Sequence, residues 1–303
     1  MILLIFLALE ISLICCQRNN LRPMKKILVP TDFSEFALNA AKLAADIARK
    51  FEARIYFIHV VDIPSYETGV IPGQSQQDIA EGLFILKKAK KDFKELLSQD
   101  FLKDLNVAEG IQFGGVYETT VKQAEKHKID LIVMGTHGSS GYVNDFFVGS
   151  NTDKIVRLSS IPVLTVKDEV KDASFKNIVF ASDFDEGVEK SFQKISELVN
   201  YFDAKVALVR IITRDDFYYS GPMINIMNDF AKKTGLNNYE CHVYSAENVQ
   251  TGINEFAKKA NADIITTVTQ GRRGLARLFN GSTTEDVINS SSLPVLTVKA
   301  GKR

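Results

Sequence analysis

The chain is written twice. The stretch KKILVPTDFSEFALNAAKLAADIARKFEARIYFIHVVD, from Lys25, matches KNIVFASDFDEGVEKSFQKISELVNYFDAKVALVRIIT, from Lys176. Each reads as a short apolar run, then Asp-Phe, then a long amphipathic stretch, then a second apolar run. Further on, SSIPVLTVKDE (159–169) repeats almost letter for letter as SSLPVLTVKAG (291–301). Internal repetition of this length predicts two similar domains of common size, 24–170 and 171–303, joined by a polar stretch near Asp168.

Within the first copy the runs Ile27–Pro30, Ile55–Val61, Leu131–Met134 and Val163–Val166 are short and nearly all apolar. Such runs suit strands buried on both faces of a parallel sheet. Helix-length segments lie between them at Ser34–Phe51, Asp78–Asp104, Tyr117–Lys128 and Asn151–Ser159. Strands alternating with helices predict an α/β fold with a doubly wound parallel sheet in each copy, the second having a shorter middle section. Ligands on such sheets bind beyond the carboxyl ends of the strands, where the strand order reverses.

The segment MGTHGSSGYVNDFFVGSNT (134–152) follows one of those strands and lies at that end. Gly135, Gly138 and Gly149 allow close backbone approach or positive φ. Ser150, with Asp153 three residues on, is placed to cap the next helix. Free N–H groups and the positive end of the helix dipole would then face an anion such as a phosphate. An ordinary glycine-rich connection with a good N-cap would read the same way. Asp32 is equally two-sided, because Asp32-x-x-Glu35 and Asp183-x-x-Glu186 both resemble capping boxes.

Composition narrows the function. The 37 basic and 37 acidic residues cancel, so no electrostatic case exists for nucleic acid or an anionic membrane. The three cysteines, Cys15, Cys16 and Cys241, give neither a disulfide framework nor a metal cage, and a cytoplasmic location is expected. Residues 1–23 read as a mis-assigned start or a signal-like leader. The first is favoured because the apolar run lacks a preceding basic residue and a small-residue cleavage site and is interrupted by Glu10. Histidine is the side chain whose unperturbed pKa lies near neutrality, yet no second carboxylate at useful spacing or Ser–His–Asp set accompanies His137. It is read as a loop histidine that orients backbone, and His59 as a satisfied core residue. The charged run KKAKKDFK (87–94) is read as a solvated helix face.

The combination of VPTDFS, a strand ending HVVD, MGTHG, a GS pair opening a helix, and PVLTVK resembles the universal stress protein family. Both copies carry the pattern, so the resemblance spans about residues 24 to 301 and implies a tandem member. It implies two five-stranded, adenine-nucleotide alpha-hydrolase-like domains in a pseudo-dimer, paired through the last strand, or a homodimer of whole chains. One branch of that family binds ATP with the pattern G-x2-G-x9-G-[S/T]. Carried onto this chain, the resemblance places phosphate contacts at Gly135, Gly138, Gly149 and Ser150. It also places ribose contact at Asp32 and adenine contact beside His59 and Val60. Pro30, Thr31, Met134, His137 and Asn151 complete the expected site, with ATP and Mg²⁺ as cofactors.

Ten residues separate Gly138 from Gly149, one more than that pattern has. In the second copy VTQGRRGLARLFNGST keeps nine between Gly271 and Gly281, but Val268 stands where the first glycine is expected. The second copy therefore reads as a degenerate nucleotide site. Three functions compete: a stress-response regulatory protein binding ATP in its first copy, a non-binding tandem scaffold acting through protein contacts, and an enzyme of the wider adenine-nucleotide group. Neither an SGGxDS-type loop nor an HxGH pair supports the enzyme, beyond at most a slow ATPase.

Overall fold

The computed structural model describes residues 24–61, 76–137, 149–171, 173–185, 187–214, 222–269 and 283–300. They divide into two compact units, one built mainly on Lys25–Ala173 and the other mainly on Ser174–Val287.

The first unit runs β1 (Lys26–Pro30), α1 (Glu35–Phe51), β2 (Arg54–Val61), α2 (Gln76–Leu97), β3 (Val107–Phe113), α3 (Val116–His127), β4 (Leu131–Gly135), α4 (Ser150–Leu158) and β5 (Val163–Val166). Its strands lie in the order β3-β2-β1-β4-β5. The pairings are parallel, with Ile27 opposite both Ile55 and Leu131. Strand order thus reverses between β1 and β4, and a crevice at their carboxyl ends is where such sheets take ligands.

Burial of Ile27, Leu28, Val29, Ile132, Val133 and Leu164 on both sheet faces explains the unbroken apolar runs. Helix α1 buries a row of alanines (Ala37, Ala40, Ala41, Ala44, Ala45 and Ala48), and these small side chains let it lie close on the sheet. Its start is fixed by Ser34, whose hydroxyl accepts the Ala37 N–H at 3.3 Å. Lys87, Lys88, Lys90, Lys91 and Lys94 are all exposed, as a solvated face requires.

The second unit repeats the plan with β6 (Asn177–Ala181), α5 (Val188–Gln193), α6 (Ser196–Tyr201), β7 (Lys205–Ile212), α7 (Met223–Thr234), β8 (Tyr239–Ser245), α8 (Val249–Lys259), β9 (Ile264–Thr269), α9 (Thr283–Ser290) and β10 (Val295–Lys299). Its strand order is β10-β9-β6-β7-β8. Ile178 lies opposite both Val206 and Ile264, the same register as Ile27 in the first unit.

Three local expectations change. The segment expected as one helix over 78–104 stops at Leu97, and a short 3₁₀ turn at Asp100–Leu102 follows. The counterpart of α1 breaks into α5 and α6, where Val188, Phe192, Ile195 and Val199 bury bulk in place of Ala37, Ala41, Ala44 and Ala48. At that break the Ser196 hydroxyl donates to the Gln193 carbonyl at 2.9 Å. Strands β3 and β8 were absent from the apolar runs because both are only half-buried, with polar residues such as Glu109 and Glu240 in them.

Candidate functional site

Both units build the same turn after their first strand. In the first, the Thr31 hydroxyl accepts the Phe33 N–H at 3.0 Å and the Asp32 carboxylate accepts the Ser34 N–H at 3.0 Å. In the second, Ser182 and Asp183 accept from Phe184 and Asp185 at 3.1 Å and 3.4 Å. Phe33 and Phe184 sit in the left-handed region at φ 64° and 59°. These turns correct the capping reading of the aspartates. Asp32 closes an Asx turn and Ser34 is the N-cap of α1, while α5 is capped by Gly187.

His59 sets the height of that turn. Its Nδ1 lies 2.8 Å from the Thr31 carbonyl oxygen, and its ring packs 4.9 Å from that of Phe33. It is a satisfied residue, with Val60 next to it near the end of β2, opposite Gln112.

Across the crevice, β4 ends at Met134 and Gly135, and Pro30 ends β1. The Thr136 N–H donates to Val166 at 3.1 Å, and the Thr136 carbonyl accepts the Gly149 N–H at 3.0 Å. Thr152 donates its hydroxyl to the Gly135 carbonyl at 3.2 Å. These two bonds hold the first turn of α4, with Ser150 and Asn151, against the end of β4. The helix starts one residue earlier than expected, with Gly149 as its N-cap, so Ser150 is the first helical residue and not the cap. The Gly149 N–H is occupied by the Thr136 carbonyl, and helix geometry leaves the next N–H groups of the first turn without an intrahelical acceptor. His137 pairs its Nδ1 with the Thr136 hydroxyl at 2.9 Å, and its ring packs 5.1 Å from Phe36.

The structure thus brings Pro30, Thr31, Asp32, Met134, Gly135, His137, Gly149, Ser150 and Asn151 to the strand-order reversal, with Val60 one strand away. Gly138 and the ten-residue spacer lie outside the described residues. Gly135 does not take positive φ. Its lack of a side chain serves another end, because a Cβ there would lie 2.8 Å from the backbone carbon of Phe36. Sequence reasoning missed Thr152 and Thr136, whose small polar side chains carried no periodic signal.

In the second unit the same register puts Val268 at the position of Gly135, Arg210 at that of His59 and Asp183 at that of Asp32. Burial holds the Asp183 carboxyl above the usual carboxylate range, the nearby Asp185 charge adds to the effect, and the Arg210 charge opposes it. The second unit thus carries a guanidinium side chain at the strand position where the first has the His59 imidazole.

Among the described residues no cluster of three or more His, Cys, Asp or Glu could hold a metal, and no helix is long and apolar enough to cross a membrane.

The model of the universal stress protein family matches residues 23–167 and again 174–299. A universal stress protein of Methanocaldococcus jannaschii is 34% identical over 164 residues, covering 51% of this chain and 89% of its own. A second from the same organism is 31% identical over 156 residues, covering 47% and 94%. The crystal structure of a universal stress protein from Archaeoglobus fulgidus superposes with a TM-score of 0.69 at 19% identity, covering 92% of this chain and 97% of that one. At that identity the superposition speaks to the fold alone. With two matches that together span nearly all of the chain beyond residue 22, this protein belongs to the universal stress protein family as a tandem, two-domain member.

Proposed function

We propose that the chain is a stress-response regulatory protein that binds ATP in its first domain, 24–170, with 171–303 as a degenerate pseudo-partner. The reading rests on one observation above the others: the end of β1, the end of β4 and the first turn of α4 converge at the strand-order reversal, tied by the Gly149–Thr136 bond of 3.0 Å. A helix start held there turns N–H groups toward a phosphate. Asp32 is only half-buried, so its carboxylate is reachable by a ribose hydroxyl.

Mg²⁺ fits this donor set only in part. Asp32 is the one carboxylate among the described residues expected at the site, so the ion would be held chiefly by phosphate oxygens and water. Bound there, it would neutralise phosphate charge that the described strand ends and helix start meet with N–H groups alone.

The competing reading is a scaffold that binds no nucleotide and acts through protein contacts. The longer spacer between Gly138 and Gly149 favours it. Mass spectrometry of small molecules released from the purified full chain separates the two. Adenine nucleotide at near one equivalent supports binding; its absence, together with no response to added ATP, supports the scaffold.

A further inference from the structure

The second unit carries a cavity of about 400 Å³ on the face covered by α8, at the amino ends of β6 and β7 and along β8 from Glu240 to Tyr244. It lies at the opposite end of the strands from the crevice described above. Its origin is visible by comparison with the first unit. Tyr56 lies opposite Leu28 there, and its ring packs 5.2 Å from that of His127, the last residue of α3. In the second unit the register puts Ala207 where Tyr56 stands, opposite Val179.

The helix side changes in the same way. Asp130 and Asp263 are equivalent, each accepting the N–H of the first residue of β1 or β6, at 2.9 Å and 2.8 Å. Counting back from them, Ala260 replaces His127 and Ala262 replaces Ile129. Three large side chains have become alanines at one spot, and the space is open instead of collapsed.

What lines the space also differs. Glu240, His242 and Tyr244 replace Ala108, Gly110 and Gln112 on the third strand. The ring of Phe256 packs 5.0 Å from His242 and 5.7 Å from Tyr244, where the first unit has the Gln123–Gln112 hydrogen bond. The cavity therefore has an aliphatic floor and an aromatic wall. At its mouth Lys205 meets Glu240 at 2.7 Å and His242 lies 3.5 Å from the same carboxylate, so that acidic charge is answered. Lys259 sits over the Tyr244 ring at 5.8 Å, and no described carboxylate lies within ion-pair distance of it.

We propose that this cavity is a second ligand site, taking a small planar aromatic carboxylate whose rings occupy the place of the deleted Tyr–His stack and whose charge meets Lys259. Its volume falls in the range of small-molecule pockets, and an aromatic body with one charged end matches the distribution of its lining.

The test uses the full chain and 2-naphthoate as probe, with binding followed by NMR line broadening in the presence of excess ATP. Saturable binding of one probe per chain is expected, with a Kd of about 1 mM or tighter. Ala207→Tyr, which restores the plug, should weaken it about tenfold or more, a loss of about one decade in Kd. Lys259→Met should remove the preference for 2-naphthoate over neutral 2-naphthylmethanol. Circular dichroism checks that each variant is folded, and Ala260→His applies the same plug from the helix should Ala207→Tyr fail to fold. Failure of the wild type to saturate, displacement by ATP, undiminished binding in a folded plugged variant, or an unchanged preference in Lys259→Met would each overturn the assignment.

Discussion

Gly135 lies so close to Phe36 that a Cβ on it would stand 2.8 Å from the Phe36 backbone carbon and 2.9 Å from its carbonyl oxygen. At the counterpart positions of the second unit the small residue has changed sides: Val268 is on the strand and Gly187 begins the helix. The pair is small-on-strand in one copy and small-on-helix in the other. Gly135→Val should therefore cost about 1–3 kcal/mol of stability through overpacking. Phe36→Gly removes the Phe36 Cβ, which the new side chain would also meet at 2.8 Å, so the two losses should be less than additive, with a coupling of about 1 kcal/mol or more in a denaturation double-mutant cycle. Additive losses would show that the two sites do not share this contact.

That exchange bears on what a sequence can say. The glycine of MGTHG was legible as a place needing bare backbone, but whether for a ligand or for a helix was not, because Phe36 is distant in sequence and only the β1–β4 pairing brings it near. The buried strands were legible because both faces are covered, so each reads as an unbroken apolar run. Strands β3 and β8 were not, since half-burial dilutes the pattern with Glu109, Gln112 and Glu240. The open cavity of the second unit had no local signature at all. It arises from alanines far apart in the chain, at 207, 260 and 262, that the sheet register and the end of α8 bring together.

The aspartates that open β4 and β9 tie each sheet together. Asp130 accepts both the Lys25 and Lys26 N–H groups at 2.8 Å and 2.9 Å, and Asp263 accepts the Asn177 N–H at 2.8 Å. Asp130→Ala leaves those donors without their carboxylate and should destabilise by about 1–3 kcal/mol in urea denaturation. Asp130→Asn, which keeps one acceptor oxygen, should cost less. Equal losses for the two variants would argue that charge and not hydrogen bonding is at stake.

Asp183 should make the chain less stable as pH rises. Its folded pKa is held above 3.8, chiefly by burial and next by Asp185, so the folded state favours the protonated form. The resulting penalty is absent below 3.8, grows as pH climbs from there through the raised value, and is complete above it. Asp183→Asn keeps an acceptor for the Asp185 N–H and removes the charge. Its Tm should exceed the wild type's at neutral pH, and the gap should close on acidification toward 3.8. A variant less stable at neutral pH would mean that the Arg210 attraction outweighs burial.

Asp32 separates folding from binding. Asp32→Asn keeps an acceptor for the Ser34 N–H at the turn, so thermal stability should change little. ATP affinity should fall about tenfold or more, because hydrogen bonds to a charged partner contribute about 1.5–3 kcal/mol. Unchanged affinity in a folded variant would place the ribose elsewhere.

The most direct measurement is calorimetric titration of the full chain with ATP and Mg²⁺. One site per chain is expected, since Gly135 and Asp32 of the first unit are answered in the second by Val268 and by an Asp183 that faces Arg210. A stoichiometry near two would contradict the degeneracy of the second unit, and no heat or saturation at all would contradict nucleotide binding itself.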